Sequence, residues 1–501
     1  MIDAVDRPRP LILNYDAVAF CMPHLEGDEM IDSMFASTDL PGAPRPSIFW
    51  NWGEGNVAPW KSEILEPFTT RRFNQWADEG FDIVGRCHEE TKKRGLESFF
   101  SYRINGGDND RYEDGRHHAD MPKFKEAHPE CLIHYDKSIA GQTTPKYNFS
   151  KQAVRDHKIA ILAEVLDNYD FDGIDIDYAR ATPVLPPGKQ WVLRDTLTEF
   201  MIDLRAMVEE KAAVRGHPIL IAARIPATLF GCRFDGIDIE EWVASGLVDI
   251  LTLGSRSYEV DYLFFNQLML DTGVKCYPCI DDIHATDGYR NPPIDVFRGV
   301  FTNWKHQGFE GVTTFNFYTC DPKTPGNESK EVDDWMNSQW DLHKQVYEEL
   351  GRGIDDLPKT FVIQRRLGGH FHDFHAVPES WKTPRESWFN SNIEAQLPAH
   401  LNADEDQDVF LRLYVGMNPS EINAPVLRIV ISENEAIQVR INGSLALHST
   451  AIVAPTTEDA NWYEYPLDPS AIAEGENLIQ ISMARSIRES IWVEKVELST
   501  E

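Results

Sequence analysis

Eight β-type runs, each followed by a helical pattern, fill the first 350 residues of this 501-residue chain. In the longest helical stretch, Leu197, Phe200, Met201, Leu204 and Met207 recur at the spacing of one helix face. The runs are LILNYDA (11–17), SIFWNW (47–52), ESFFSYR (97–103), DGIDIDY (172–178), ILIAARI (219–225), VDILTLG (248–254), VKCYPCI (274–280) and GVTTFNF (311–317). Strands that alternate with helices build parallel sheets, and eight such units predict an α/β fold of the closed (β/α)8 type.

The pattern changes after residue 355 to short strands without helices between them. The runs are TFVIQRR, VFLRLYVG, VLRIVIS, IQVRINGS, NWYEYPL, NLIQISMA and IWVEKVELS, separated by Gly, Asn, Pro and Asp. This pattern is typical of a β-sandwich. The sequence therefore predicts two domains, a barrel over 1–355 and a β-sandwich accessory domain over 356–501.

The charge of the chain excludes several classes of partner. There are 81 acidic and 48 basic residues, which gives a net charge of −33. Such an acidic protein repels nucleic acid and anionic membranes, so neither is expected as a partner.

No apolar run approaches the roughly 20 residues of a membrane helix. The start lacks the basic and apolar regions of a signal peptide, so a cytoplasmic protein is expected unless a leader has been removed. The oligomeric state stays open.

The fourth strand carries an unusual set of carboxylates in the run NYDFDGIDIDYAR. Side chains alternate along a strand, so Asp175 and Asp177 point to one face while Ile174 and Ile176 point to the other. In a barrel, catalytic groups lie at the C-terminal ends of the strands. Asp177 is expected at the mouth, with Asp175 one layer below, about 7 Å along the strand. Two carboxylates at so short a distance shift each other's pKa values, which suits general acid/base catalysis. The structural alternative is that both carboxylates anchor loops through Arg180 or backbone amides.

The same region resembles a known group of proteins. The stretch NFSKQAVRDHKIAILAEVLDNYDFDGIDIDYAR is similar to bacterial glycoside-hydrolase-like barrel proteins, whose fourth strand reads D-G-I-x-x-D-x-x-R after a V-R-D element. The matching positions are Asp172, Gly173, Ile174, Asp177 and Arg180, with Val154, Arg155 and Asp156 upstream. The resemblance covers roughly residues 10 to 350 and implies a barrel and glycan chemistry, without naming the sugar.

A second comparison excludes one mechanism. Chitinase-like barrels of glycoside hydrolase family 18 read D-G-x-D-x-D-x-E, in which the final Glu is the acid. This chain has Ala179 at that position. Substrate-assisted chitinase chemistry is therefore not expected.

Glycoside hydrolysis normally requires a second carboxyl group across the scissile bond from the first. Glu259 follows the sixth strand, and its position resembles that of the acid/base in barrels whose nucleophile lies on strand four. Asp281 and Asp282, in CIDDIH after the seventh strand, compete with it. Each also has a structural alternative as a helix cap. The sequence thus gives Asp177, Glu259, Asp282 and Asp175 as catalytic candidates.

Sugar binding requires aromatic platforms and polar side chains at the strand ends. The candidates that fall there are Asp16, Trp50, Asn51, Trp52, Glu54, Arg103, Asn105, Arg180, Arg224, Asp281, Asn316 and Tyr318, with Asn14 of the first strand beside them. Any one of them, the tryptophans above all, has barrel packing as its alternative.

The connection after the third strand, roughly 104 to 149, is the longest and is expected to form a lid. It contains Asp108, Asp110, His117 and His118, but their spacing matches no zinc or calcium motif. A solvated loop is favoured, and neither a metal nor a cofactor is expected.

Together these features predict a glycoside hydrolase that degrades oligosaccharides, exo-acting on fragments of marine or plant polysaccharides through paired carboxylates. Two alternatives stay open. One is a non-catalytic carbohydrate-binding protein with a degenerate barrel, and the other is a metal-dependent hydrolase or lyase that uses the histidine-containing loop.

Overall fold

A computed structural model of the chain describes residues 2–16, 27–53, 56–68, 76, 78–106, 112–113, 116–117, 122–133, 146–179, 182–254, 257–270, 272–281, 289, 292–315, 317, 334–365, 396–402, 408–431, 437–446, 451–453, 461–483 and 490–501. These residues form two compact units. The first contains the parallel strands, and the second contains one helix and the strands from Thr360 onward.

Eight parallel strands close a barrel in the first unit. They are β1 (Leu11–Tyr15), β2 (Ser47–Gly53), β3 (Glu97–Arg103), β4 (Gly173–Asp177), β5 (Leu220–Ile225), β6 (Ile250–Leu253), β7 (Lys275–Asp281) and β8 (Val312–Phe315). Each strand pairs with the next along the chain, and β8 returns to pair with β1. Each of the eight sequence runs overlaps one of these strands, and six runs contain the whole strand, so the barrel prediction is confirmed.

Helices precede, separate and follow the barrel strands along the chain. The described helices are α1 (Ile2–Val5), α2 (Gly27–Ser33), α3 (Ile83–Lys93), α4 (Lys123–Ala127), α5 (Gln152–Asn168), α6 (Arg194–Arg215), α7 (Leu229–Asp235), α8 (Ile239–Ala244), α9 (Tyr262–Met269), α10 (Ile294–His306) and α11 (Asp334–Arg352). Helix α6 buries four of the five residues that predicted it, while Met207 is half-buried next to the buried Val208. It ends at Gly216, which takes the left-handed conformation that favours glycine.

The barrel interior is apolar towards the N-terminal ends of its strands. One buried cluster there contains Ile12, Phe49, Phe99, Leu220, Ala222, Ile250 and Tyr277. Gly173 begins β4 beside it, and a Cβ at this position would lie only 2.2 Å from the ring of Phe99. The absence of a side chain at Gly173 therefore lets the phenylalanine fill the lower interior. Polar side chains occupy the strand ends above it.

The second unit contains α10 and two antiparallel sheets. The strands are β9 (Thr360–Val362), β10 (Ala399–Leu401), β11 (Val409–Val415), β12 (Val426–Ile431), β13 (Ile437–Ile441), β14 (Ser444–Leu445), β15 (Ala451–Val453), β16 (Asn461–Pro466), β17 (Gly475–Met483) and β18 (Ile491–Ser499). The six-stranded sheet has the order β9-β18-β12-β16-β15, with β10 also on β18, and the four-stranded sheet has the order β11-β17-β13-β14.

The two sheets share one hydrophobic core. Leu411, Leu413 and Ile479 enter it from the four-stranded sheet, and Leu427 and Val493 from the other. The predicted C-terminal β-sandwich is therefore confirmed. Because α10 groups with these strands, a single cut after residue 355 does not separate the two units. Within the described residues, no helix is both long enough and apolar enough to cross a membrane.

Candidate active site

Asp175 and Asp177 project into the barrel from the end of β4, and both are fully buried. Asp175 accepts a hydrogen bond of 2.6 Å from Ser101 Oγ on β3, and Asn14 Nδ2 on β1 lies 3.4 Å from the same carboxylate oxygen. Burial raises the pKa of Asp175 to about 6, and the nearby charge of Asp177 adds to this, while Arg224 and the Ser101 hydrogen bond oppose it. Contacts from two other strands thus hold Asp175 inside the barrel.

Asp177 faces a buried cation on the neighbouring strand. It pairs in register with Arg224 of β5, and Asp177 Oδ2 lies 3.4 Å from Arg224 Nη1. The guanidinium also lies 4.2 Å from the centre of the Phe315 ring on β8. Burial works to lower the pKa of Arg224, but the charges of Asp177 and Asp175 outweigh this and raise it, so the side chain stays cationic. A buried ion pair is therefore fixed just inside the barrel mouth.

Two buried side chains on the barrel strands have hydrogen-bonding capacity to spare, Arg224 in the row of Asp177 and Asn51 in the row of Asp175. Within the described part of the chain, none of the three guanidinium nitrogens of Arg224 makes a hydrogen bond. The same holds for both polar atoms of the Asn51 amide, which lies on β2 in register with Ser101. Buried polar groups are nearly always satisfied by protein, water or ligand. Arg224 and Asn51 therefore mark a place for a polar ligand or ordered water.

Three further predicted residues lie at the strand ends. Arg103 Nη2 is 2.6 Å from Asp16 Oδ2, and this ion pair joins β3 to the end of β1. Asp281 ends β7 and is fully buried. It lies on the same strand face as Tyr277, which belongs to the interior cluster, so Asp281 also faces the interior.

The two tryptophans of β2 lie on the opposite face of their strand from Asn51. Trp50 Nε1 donates a hydrogen bond of 3.0 Å to Thr91 Oγ1 on α3, and its ring packs against those of Phe35 and Trp52. Both tryptophans are fully buried. Both rings thus pack inside the described structure, and their role as sugar platforms stays a prediction.

Asn105 braces the connections around the barrel mouth. Its side-chain nitrogen donates to the backbone oxygens of Tyr147 and Pro183, and its side-chain oxygen accepts from the backbone nitrogen of Tyr147. These bonds hold the amide in a structural position. Its contact with substrate stays a prediction.

Glu259 is half-buried in the connection between β6 and α9, where Asp261 caps the helix. Five other predicted residues, namely Glu54, Arg180, Asp282, Asn316 and Tyr318, fall outside the described residues, as do Asp108, Asp110 and His118 of the long connection. His117 belongs to a short strand, Arg116–His117, which pairs with Tyr112–Glu113.

Sequence reasoning missed two residues of the site, Ser101 and Phe315. Ser101 lies two positions before Arg103, so strand alternation alone places both on the interior face. The same alternation along β8 places Phe315, the residue before the predicted Asn316, on the interior face.

One cluster of possible metal ligands occurs among the described residues. It consists of His128, Glu130 and Cys131, and His128 Nδ1 lies 3.1 Å from Glu130 Oε1. The three residues follow α4 in the connection between β3 and β4. They are not among the residues brought together around Asp177.

No family model matches the chain, and no curated protein does. Similar solved structures include alpha-L-fucosidase isoenzyme 2 from Paenibacillus thiaminolyticus, with 13% identity, 72% of this chain and 52% of that chain covered, and a TM-score of 0.45. An alpha-galactosidase from Geobacillus stearothermophilus has 12% identity and a TM-score of 0.36, with 92% of this chain and 56% of that chain covered. An Anoxybacillus alpha-amylase has 9% identity and a TM-score of 0.39, with 97% of this chain and 99% of that chain covered. This chain spans little more than half the length of the first two. Similarity this low leaves the function to be argued from the residues themselves.

Proposed function

We propose that this chain is a glycoside hydrolase in which Asp177 is one of two catalytic carboxylates. The observation that carries the proposal is the buried Asp177–Arg224 pair, 3.4 Å apart at the C-terminal end of the barrel, where (β/α)8 enzymes place their chemistry. The guanidinium fixes the position of the carboxylate. Asp177 then acts as the nucleophile of a retaining reaction or as the base of an inverting one.

The second carboxyl group comes from Glu259, Asp281 or Asp282. Asp281 is fully buried on the interior face of β7, which favours it, whereas Glu259 is half-buried in a connection. The separation of the two carboxyl groups sets the stereochemistry. About 5 Å gives retention through a covalent intermediate, and roughly 6.5–9.5 Å gives inversion with a water between them.

Arg224 and Asn51 bind the sugar that is cleaved. Their unsatisfied donors, and the unsatisfied oxygen of Asn51, match the hydroxyl groups of a sugar ring. Because both residues are fully buried, a sugar reaches them only by entering the end of the barrel. The terminal sugar of an oligosaccharide does so more readily than an internal one, which supports an exo-acting enzyme. The barrel performs the cleavage and the β-sandwich is an accessory domain.

Digestion of end-labelled oligosaccharides from plant and marine polysaccharides tests the proposal. Release of single sugars from one end is the expected result. Release of internal fragments would overturn the exo mode alone. Tight binding of an oligosaccharide without any cleavage would overturn the assignment as an enzyme and favour a non-catalytic carbohydrate-binding protein.

A further inference from the structure

The outer face of the four-stranded sheet presents exposed apolar side chains. Phe410 is 57% exposed on β11, Leu478 is 46% exposed on β17, and Leu445 is 48% exposed on β14. Single exposed apolar residues are common, but a contiguous group rimmed by polar residues marks an interaction site. The strand register decides which of these cases applies.

The register places these side chains side by side. Phe410 pairs with Gln480, Gln480 pairs with Arg440, and Arg440 pairs with Leu445, which makes one row across all four strands. Neighbouring strands are about 4.8 Å apart, so the row is roughly 14 Å long. Arg412 and Leu478 pair with each other and form the next row. The six residues form one continuous surface, which we call the Phe410 face.

The polar groups of the Phe410 face are two guanidinium groups, which donate hydrogen bonds, and the Gln480 amide, whose nitrogen already donates to Asp408 Oδ2 and Ser482 Oγ. Among the described residues, neither Arg412 nor Arg440 has a carboxylate within ion-pair distance, and the one hydrogen bond from the Arg440 guanidinium goes to the backbone oxygen of Gly443. Two carboxylates lie at the edges of the face. Asp408 accepts a hydrogen bond from Gln480, and Glu476 precedes Leu478 by two positions on β17. Counted over the described residues alone, the two positive and two negative charges of the face and its edges balance.

We propose that the Phe410 face binds an uncharged glycan chain. Sugar rings pack on Phe410, Leu478 and Leu445 through their apolar faces, while the guanidinium groups donate to ring hydroxyls and the side-chain oxygen of Gln480 accepts from them. The binding is independent of the barrel reaction.

Two other occupants fit the Phe410 face less well. A polyanionic chain would be repelled by a protein with a net charge of −33 and would find no excess positive charge on the face. A second copy of the chain would carry the same net charge. A stable protein interface also buries about 800 Å² on each partner, far more than three exposed apolar side chains supply.

The other sheet provides a matched control. Trp492 on β18 is 38% exposed, but its ring lies 4.5 Å from that of His400 on β10. Among the described residues of the adjacent strands, no other large apolar side chain is exposed beside it. A Trp492→Ala variant removes a larger ring than Phe410→Ala while leaving the Phe410 face intact.

Native gel electrophoresis of the full chain in soluble polysaccharides tests the proposal. The probes are a mixed-linkage β-glucan, a galactomannan, an arabinoxylan and a soluble starch, with alginate as the acidic probe. We expect at least one uncharged polysaccharide to retard the protein. Phe410→Ala should weaken this retardation about tenfold, the loss expected when a half-exposed phenylalanine no longer buries its ring on binding. Trp492→Ala should leave it unchanged.

Four results would overturn the proposal. They are no retardation by any uncharged probe, retardation by alginate alone, retardation that survives Phe410→Ala, and a dimer in sedimentation velocity that Phe410→Ala dissociates. Cleavage of short oligosaccharides is measured on the same variants. An inactive barrel would therefore be distinguished from a Phe410 face that does not bind.

Discussion

Arg224 and Asp177 occupy paired positions on adjacent barrel strands, and their charged groups approach to 3.4 Å in a fully buried setting. Neither charge reaches bulk water, so each depends on the other. Removing one partner of such a pair leaves an uncompensated charge inside the protein, at a cost of about 3–5 kcal/mol.

Arg224→Met should therefore lower kcat/KM at least a hundredfold and reduce the free energy of unfolding by several kcal/mol. Arg224→Lys keeps the positive charge but loses the planar guanidinium. Compared with Arg224→Met, it should therefore restore more of the free energy of unfolding than of kcat/KM. The matched control is Arg233→Met, at an exposed arginine paired with Glu240. Oligosaccharide cleavage and urea denaturation measure both effects. Wild-type kinetics in Arg224→Met would rule out a role for the guanidinium in the site.

Asp175 should make stability depend on pH. Its pKa rises from an ordinary 3.8 to about 6 on folding, chiefly through burial. Since the folded state holds this proton more tightly, the wild type loses up to about 3 kcal/mol of stability as the pH rises from below 4 to above 6. Asp175→Asn removes that loss. The stability of the variant relative to wild type should thus improve between pH 4.5 and 8, as measured by urea denaturation at each pH. A difference that stays constant across this range would contradict the raised pKa.

Strand periodicity predicts much of this molecule. The alternation of side chains along β4 is enough to place Asp175 and Asp177 on the same face, and the eight β-type runs are enough to predict the barrel. These inferences succeed because they depend on local patterns that repeat along the chain.

The contacts that the sequence does not predict join distant parts of the chain. Trp50 and Asn51 are neighbours at the end of β2, so their side chains point to opposite faces of the strand. Which of the two faces the interior can be decided only once Phe49 is known to lie inside the barrel. The bracing role of Asn105 depends on Tyr147 and Pro183, 42 and 78 positions away. The ion pair between Arg103 and Asp16 likewise requires the closure of the barrel. Composition and spacing carry no signal for such contacts.

Gly173 should be intolerant of even the smallest side chain. A Cβ there would lie 2.2 Å from the Phe99 ring and 2.7 Å from the Leu220 backbone oxygen, so the barrel wall must shift. Gly173→Ala should lower the free energy of unfolding by about 1–3 kcal/mol or more. The comparison is Gly216→Ala, where the left-handed backbone is strained but no atom lies within 4 Å. Equal losses at the two positions would mean that the lower barrel accommodates a methyl group.

Chelation should leave the reaction unchanged. Among the described residues, three possible metal ligands lie close enough together to hold an ion only at His128, Glu130 and Cys131, a cluster that includes neither Asp175 nor Asp177. Prolonged EDTA treatment followed by gel filtration should therefore preserve the rate of oligosaccharide cleavage. Loss of the rate, and its return on adding one metal, would point instead to a metal-dependent hydrolase or lyase.

The central claim is that the Asp177 carboxylate takes part directly in the cleavage of a glycosidic bond. The most direct test is kcat/KM for oligosaccharide cleavage by Asp177→Asn, with Asp203→Asn on the exposed face of α6 as the control. The substitution removes the charge and keeps the shape. We predict a loss on the order of a thousandfold, which corresponds to about 4 kcal/mol of transition-state stabilisation, with an unchanged circular dichroism spectrum. A folded Asp177→Asn protein that cleaves at the wild-type rate would contradict the claim.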